Sequence, residues 1–401
     1  MIRVLIADDS AFMRKVLSDL FQKQPDFEVA GTAADGKETI SKVKSLKPDL
    51  VTLDVNMPVM DGINALAVIM RECPTPVVMI SSLTQKGTDA TIKALSLGAV
   101  DFISKVGGSI SKIDSIEAEI LGKCRDAAKA KVRGIGGASM RRDPASSQGP
   151  PLMRRIDLPQ RSGLKMSPQQ EPQPQAAGPA KRQNPLLQRR AKATVKTEGL
   201  NKPVSASFGT SCAKKLVVIG TSTGGPQALQ RVVTKLPGNL PCGVVVVQHM
   251  PAGFTKSLAD RLDSISAISV KEAEHDEVVQ PGHVYIAPGN YHLRIVPNGS
   301  SRKILLSQEP PVGNHRPAVN VMYDSVAQFG RDLVAVIMTG MGCDGCEGMK
   351  KIKSNGGYSI AQNEETSVVY GMPKAVVDAG LADEVQPLES IAKAIVEAVK
   401  K

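Results

Sequence analysis

Short, uninterrupted apolar runs, each cut off by turn residues and followed by helix-spaced apolar positions, recur in two stretches of this chain. In the first stretch they are Ile2 to Ala7, Leu50 to Asp54, Pro76 to Ser81 and Val100 to Ser104, and Met13 to Phe21 has helical spacing. A strand that is apolar on both faces has to be covered on both faces, which implies a parallel sheet with crossover helices on either side. Five strand–helix units fit residues 1–122, a (βα)5 domain. Leu216 to Ile219, Val244 to Val247, Val284 to Ala287 and Leu333 to Met338 read the same way. They predict a second α/β domain over residues 213–400, doubly wound and mostly parallel. No obvious repeat relates the two.

Between the domains the pattern dissolves. Residues 126–212 hold 10 of the chain's 27 prolines, with Gln, Arg and Ser among them, and Gln169 to Gln175 has no apolar period. Such a stretch buries too little surface to offset its ordering entropy, so residues 123–212 are expected to form a disordered linker. The linker also explains the net charge of +11. Between Lys123 and Lys215 stand 20 Lys and Arg against 5 Asp and Glu, a surplus larger than that of the whole chain, so the remainder is net negative. The basicity belongs to a tether rather than to a groove-shaped surface, which argues against nucleic acid as a partner. Weak binding of the tether to nucleic acid or anionic lipid is the other reading. Six cysteines scattered from 73 to 346 do not suggest a secreted disulfide framework. Met1 to Asp8 does not read as a signal peptide, and no apolar stretch approaches the roughly 18–20 residues of a membrane span. The expectation is a soluble, cytoplasmic protein that is not integral to a membrane.

Chemistry-bearing residues stand where the apolar runs end. Asp8, Asp9 and Asp54 close two strands of the first domain, and in a parallel sheet those ends converge on one crevice. Three carboxylates crowded together repel unless a cation sits among them, and oxygen ligands in that number suit Mg²⁺. Ser81 and Lys105 end two further strands and add a hydroxyl and an ammonium, which completes a phosphoryl-accepting site. Singly, each of the five has a bland reading as a strand end or a surface group. This stretch resembles the response-regulator receiver family over its whole length, through Asp8-Asp9-Ser10, Leu53-Asp54-Val55-Asn56-Met57-Pro58 with Asp61-Gly62, Ser81-Ser82 and Lys105. The resemblance implies a flavodoxin-like fold with Asp54 as phosphoacceptor. It implies Mg²⁺ held by Asp9, Asp54 and the Asn56 carbonyl with help from Asp8, a Ser81 switch and a Lys105 phosphate contact. The family usually has proline after the lysine; here Val106 follows, which favours a trans bond.

In the second domain Leu216 to Ile219 runs into Gly220-Thr221-Ser222-Thr223-Gly224-Gly225-Pro226, and a helical pattern follows. A serine on such a turn is raised above the sheet edge, and flanking glycines let the backbone turn sharply. The same glycines would equally cradle a phosphate at a helix N-terminus. Two more strand ends sharpen the reading: Gln248-His249-Met250-Pro251, and Thr339-Gly340-Met341-Gly342-Cys343-Asp344-Gly345. Serine, histidine and aspartate at strand C-termini can share one cleft, where histidine takes the serine proton and aspartate fixes its tautomer. The order Ser, His, Asp is not that of α/β-hydrolases. The Gly340-Met341-Gly342 turn offers amides for an oxyanion. These three motifs resemble the catalytic domain of the chemotaxis methylesterase family CheB, over residues 215 to about 398. The resemblance implies hydrolysis of glutamyl methyl esters on chemoreceptors, with release of methanol, and deamidation of certain receptor glutamines. It implies Ser222 as nucleophile, His249 as base, Asp344 as its orienting partner, and Thr223 and the Met341 amide at the oxyanion. No cofactor is expected for the esterase chemistry. Asp54 would be phosphorylated by a histidine kinase of the CheA type, and the receiver would cap the active site until then.

Cys343 and Cys346 form a C-x₂-C pair without a second pair, so they read as small residues in a tight turn rather than as zinc ligands. His275, His283, His292 and His315 have no metal spacing and read as surface or loop residues. Two other functions compete. A phospho-regulated binding module would use the Ser222 loop to hold an anion without catalysis, yet it has no need of a histidine base. A DNA-binding response regulator would carry a compact helix-turn-helix, and residues 215–401 alternate strands instead.

Overall fold

The computed structural model describes residues 1–82, 85–105, 113–130, 132, 204, 208 and 214–401, with the backbone alone at 81, 82, 85, 86, 105 and 113–116. The first domain runs β1 (Ile2–Ala7), α1 (Ala11–Gln22), β2 (Phe27–Ala33), α2 (Gly36–Leu46), β3 (Leu50–Asp54), α3 (Gly62–Glu72), β4 (Val77–Ser82), α4 (Gln85–Ser96), β5 (Asp101–Lys105) and α5 (Ile113–Ala127). Its five strands pair in parallel in the order β2-β1-β3-β4-β5, the flavodoxin-like order. All five residues of β3 are buried, because helices cover both faces. Ser10, Asp35 and Asp61 cap α1, α2 and α3, each side chain accepting from an amide three residues on. Each cap contributes about 1 kcal/mol.

Helix α5 continues past residue 122, the boundary expected for the first domain. Ile120, Leu121, Cys124 and Ala127 form one buried stripe that packs with Val78, Ile80, Val100 and Ile103, so the helix continues as long as its apolar face does. At the far end of the expected linker, Val204 and Phe208 pack against the core of the second domain; the Val204 amide donates to Lys235 O at 2.8 Å. Of the stretch expected to be disordered, residues 131, 133–203, 205–207 and 209–212 lie outside the described residues, as does Val106.

The second domain runs β6 (Leu216–Thr221), α6 (Gly225–Val233), β7 (Gly243–Gln248), α7 (Phe254–Ile265), β8 (Ser269–Glu272), β9 (His283–Ile286), β10 (His292–Asn298), β11 (Ser301–Ser307), α8 (Val319–Val326), β12 (Leu333–Ile337), α9 (Cys346–Ser354), β13 (Tyr358–Gln362), α10 (Met372–Asp378), β14 (Glu384–Gln386) and α11 (Leu388–Lys400). Seven strands form one parallel sheet in the order β14-β13-β12-β6-β7-β9-β8, and β10 and β11 make a separate antiparallel ribbon. Alternate residues of β6 serve opposite faces. Val217 and Ile219 pack with residues of α6, α7 and α11, and Leu216 and Val218 with residues of α8, α9 and α10. The chain leaves β6 toward β7 on one side and later returns on the other side through β12. The strand order therefore reverses at β6, and the crevice above that point is where such sheets bind ligands.

The described residues within 1–137 and 199–401 form one compact unit. Helix α4 packs on α6 and α7, and the rings of Phe102 and Phe254 meet at 4.3 Å between centroids. Among the described residues, no helix is long and apolar enough to cross a membrane.

Candidate functional site

Ser222 stands immediately beyond β6, on a turn held by backbone groups. Its N–H donates to Thr339 O at 3.0 Å, and its carbonyl accepts from Gly225 N at 2.7 Å and from Gln248 Nε2 at 3.0 Å. Gly224 has φ +76 at the start of α6, a conformation that a side chain resists, and a Cβ there would lie 2.5 Å from Val368 Cβ. Gly340 is also required. A Cβ on it would come within 2.8 Å of Ser222 Cβ, so the β12 turn reaches the serine only without a side chain.

His249 follows β7, the neighbour of β6, and its amide donates to Thr221 O at 3.2 Å. Its Nε2 donates to Asp344 Oδ2 at 2.8 Å, with both side chains nearly buried. Asp344 comes from the turn after β12, the other neighbour of β6. The amides of Val319 and Asn320, at the start of α8, donate to Oδ2 at 2.6 Å and to Oδ1 at 2.9 Å. Burial alone would raise the Asp344 carboxyl. The His249 hydrogen bond and charge, with the two amides, outweigh it and hold the group below the ordinary carboxylate range. The second ring nitrogen, His249 Nδ1, is buried and has no hydrogen-bond partner among the described residues. With the first domain in place, no hydrogen bond joins Ser222 Oγ to His249. The Met341 amide donates to no group among the described residues, and the Met341 side chain is exposed.

The first domain sits directly on this turn. Thr223 Oγ1 donates to Asp101 Oδ2 at 2.6 Å, Gly224 N to Val100 O at 3.2 Å, and Gln227 Nε2 to Ala99 O at 3.0 Å. Asp101 in turn lies 3.6 Å from Lys123 Nζ. At the opposite edge of the same small sheet, Asp8, Asp9 and Asp54 offer carboxylate oxygens within 4.8 Å of one another. Asp8 and Asp54 are buried and Asp9 is exposed. Among the described residues this is the only such cluster of three or more His, Cys, Asp or Glu side chains, and its hard oxygen donors fit a divalent cation such as Mg²⁺. Asn56 follows in the turn after β3. Ser81 and Lys105 occupy the C-terminal ends of β4 and β5, in the register Ser81 to Ser104 and Ser82 to Lys105; their side chains lie outside the description.

One histidine, His292, corrects the sequence expectation of surface or loop residues, while His315 does lie in a loop. His292 is fully buried at the start of β10, with Nε2 donating to Pro310 O at 3.1 Å. His315 is half-buried and stacks on His249, with ring centroids 3.8 Å apart and planes 11° apart. The stack on His249 carries no sequence signal, since it joins residues 66 positions apart. The reading also gave no role to Gln248, which ties the serine and histidine turns together, or to Asn320, whose Oδ1 accepts from Gly345 N and Gly348 N. Cys343 is exposed, and Cys346 Sγ donates to Ala375 O at 3.4 Å.

Burial pushes His315 down to about 4 from an ordinary 6.5, the His249 charge adding to the effect. The unfolded chain therefore binds this proton first as pH falls. The stability contribution is full above about 6.5 and is lost as pH drops toward about 4. His315→Phe is expected to flatten the acid-side loss of stability by no more than about 3 kcal/mol. Urea midpoints measured from pH 7 to about pH 4 check this; an unchanged slope would contradict it.

A flavodoxin-like sheet with an acid-rich rim, seated on the strand ends of a second α/β domain that carries serine, histidine and aspartate, defines a two-domain regulated-hydrolase architecture. Comparison with known proteins agrees with it. The family described as CheB methylesterase matches residues 217–395, and the response regulator receiver domain matches residues 4–113. The chain is 45% identical over 399 residues to a protein-glutamate methylesterase/protein-glutamine glutaminase of Symbiobacterium thermophilum, covering 99% of this chain and 97% of that one. It is 43% identical over 401 residues to the protein of the same name from Pyrococcus abyssi, covering 100% of this chain and 94% of that one. It is likewise 43% identical to the one from Geobacillus kaustophilus, with 99% of each covered. This chain belongs to the CheB methylesterase family, with a response-regulator receiver domain in front of the catalytic domain.

Proposed function

We propose that this chain hydrolyses glutamyl methyl esters on chemoreceptors, deamidates receptor glutamines, and does both under control of phosphorylation at Asp54. The observation that carries the reading is the His249–Asp344 pair, buried at 2.8 Å with the carboxylate fixed by two amides, beside a serine on a strand-to-helix turn. Because Asp344 engages Nε2, the tautomer with its proton on Nε2 is favoured, and Nδ1 is left as the base. Ser222 Oγ attacks the ester carbonyl and His249 Nδ1 takes its proton. Asp344 stabilises the imidazolium. As the tetrahedral intermediate collapses, His249 gives the proton to the methoxy oxygen, which leaves as methanol, or to the amide nitrogen of a glutamine, which leaves as ammonia. Water enters by the same base and frees the carboxylate from the acyl-enzyme. Thr223 and the uncommitted Met341 amide serve the developing oxyanion.

In the receiver, Asp8, Asp9, Asp54 and the Asn56 carbonyl would hold Mg²⁺, which neutralises charge on the incoming phosphoryl group. Ser81 and Lys105 read the phosphorylated state. The phosphodonor is a histidine kinase of the CheA type, and the protein works in the cytoplasm, where kinase and receptor tails meet. Residues 1–122 and 213–400 are the working domains, with α5 extending the first to Ala127. The test is methanol release from methylated receptor membranes, with and without a small-molecule phosphodonor. Release that rises with phosphodonor is expected; no release in either condition would overturn the assignment.

A further inference from the structure

The stacked partner of His249 has no part in the chemistry described so far, yet the chain goes to some length to place it. His315 ends a tight turn closed by paired bonds between Val312 and His315, at 3.1 and 3.0 Å. Gly313 and Asn314 both have positive φ, 58° and 66°, as a two-residue turn of the hairpin type demands. The next residue, Arg316, pins the segment. Its Nη1 donates to the carbonyls of Gln308 and Glu309 at 3.0 Å, and its Nη2 to Asn290 Oδ1 at 2.5 Å, while its own carbonyl accepts from Asn290 N at 3.0 Å. Three and four residues further on, Val319 and Asn320 supply the amides that grip Asp344. One segment thus delivers two restraints on the same imidazole: a carboxylate at its edge, through Asp344, and a flat ring against its face.

We propose that His315 is a positioning residue of the hydrolase, whose stacked ring fixes the plane of His249 so that Nδ1 is held ready for the serine proton. A single hydrogen bond at Nε2 leaves an imidazole free to swing about that bond. A parallel ring at 3.8 Å removes the freedom. The role asks for an uncharged partner, because a second cation over the imidazolium would oppose proton transfer. The charged and titratable groups acting on His315 are His249, Asp344 and Lys123. Burial, the largest influence, keeps it neutral at working pH, with His249 and Lys123 acting the same way and Asp344 opposing.

This rests on the proposed base role of His249, and the experiment separates the two. Full-length variants, activated by phosphodonor, are assayed for methanol release from methylated receptor membranes. His315→Ala is expected to lower kcat about 10- to 100-fold with KM within about twofold, since a misplaced catalytic group costs on the order of 10²-fold. His315→Phe, which keeps a flat ring, is expected to stay within about threefold of the parent with an unchanged pH profile. If His315→Ala fails to fold, the His315→Phe protein decides alone. Full activity in His315→Ala, or a loss in His315→Phe as large as that expected for alanine, overturns the stacking role. His249→Ala is measured beside them. If it is inactive while His315→Ala is not, only the positioning role fails; if it stays active, the base assignment fails and the positioning role falls with it.

Discussion

Ser222→Ala is expected to abolish methanol release while leaving the protein folded. The turn that carries Ser222 is held by its backbone N–H and carbonyl, through Thr339, Gly225 and Gln248, and not by its hydroxyl. Loss of Oγ therefore removes the nucleophile and leaves the turn's bonds intact. The rate should fall by about 10⁴- to 10⁶-fold. His249→Ala should be almost as damaging, and the double variant no worse than either single one, because nucleophile and base act as one unit and their losses do not add. Asp344→Asn should be severe as well. An amide in place of the carboxylate loses the charge that stabilises the imidazolium, and it can present an NH₂ to the Val319 and Asn320 amides where the structure has acceptors. Methanol release and thermal unfolding of the same preparations check all of this. Substantial turnover by a folded Ser222→Ala protein would remove the serine-hydrolase mechanism.

The second large effect is release of the receiver. Asp101, Val100 and Ala99 occupy Thr223, Gly224 and Gln227, so the docked receiver ties up the proposed oxyanion threonine and covers the serine turn. Phosphodonor with Mg²⁺ is expected to label Asp54 and to raise the activity of the full chain about 10- to 100-fold, and Asp54→Asn should abolish the rise. Only a few kcal/mol of differential stabilisation are needed, since about 1.4 kcal/mol changes a population ratio tenfold. Asp101→Asn should raise basal activity without phosphodonor. The Thr223 hydroxyl then bonds to a neutral acceptor, and a bond to a charged group contributes about 1.5–3 kcal/mol. A fragment beginning near Ser211 should be faster than the unphosphorylated whole and indifferent to phosphodonor. If that fragment is no faster, the capping account fails. If phosphodonor nevertheless accelerates the full chain, the receiver must work by assembling the site or docking the substrate. Labelling at a residue other than Asp54, or labelling that survives EDTA, would defeat the receiver reading at its chemical step.

Much of this was legible in the chain because it is written locally. Continuous apolar runs such as Leu50–Asp54 and Gly243–Gln248 mark strands buried on both faces. A strand that ends in Asp54, or runs directly into Ser222 or His249, places that residue at the carboxyl edge of a parallel sheet, where chemistry collects. Local pattern does not say which strands lie side by side. That β12 and β7 flank β6, and so bring Asp344 and His249 to the serine turn, is a property of the assembled sheet. The same holds for the Val319 and Asn320 amides on Asp344, the stack of His315 on His249, and the reach of Asp101 to Thr223, 122 residues away. Each joins residues whose own neighbourhoods are unremarkable: a loop histidine, an aspartate that opens a strand, two ordinary helix amides. Hydrophobic period and turn chemistry act within a few residues and leave a trace in sequence. Contacts between distant segments form only when buried faces pack, and for them the chain carries no mark until it has folded.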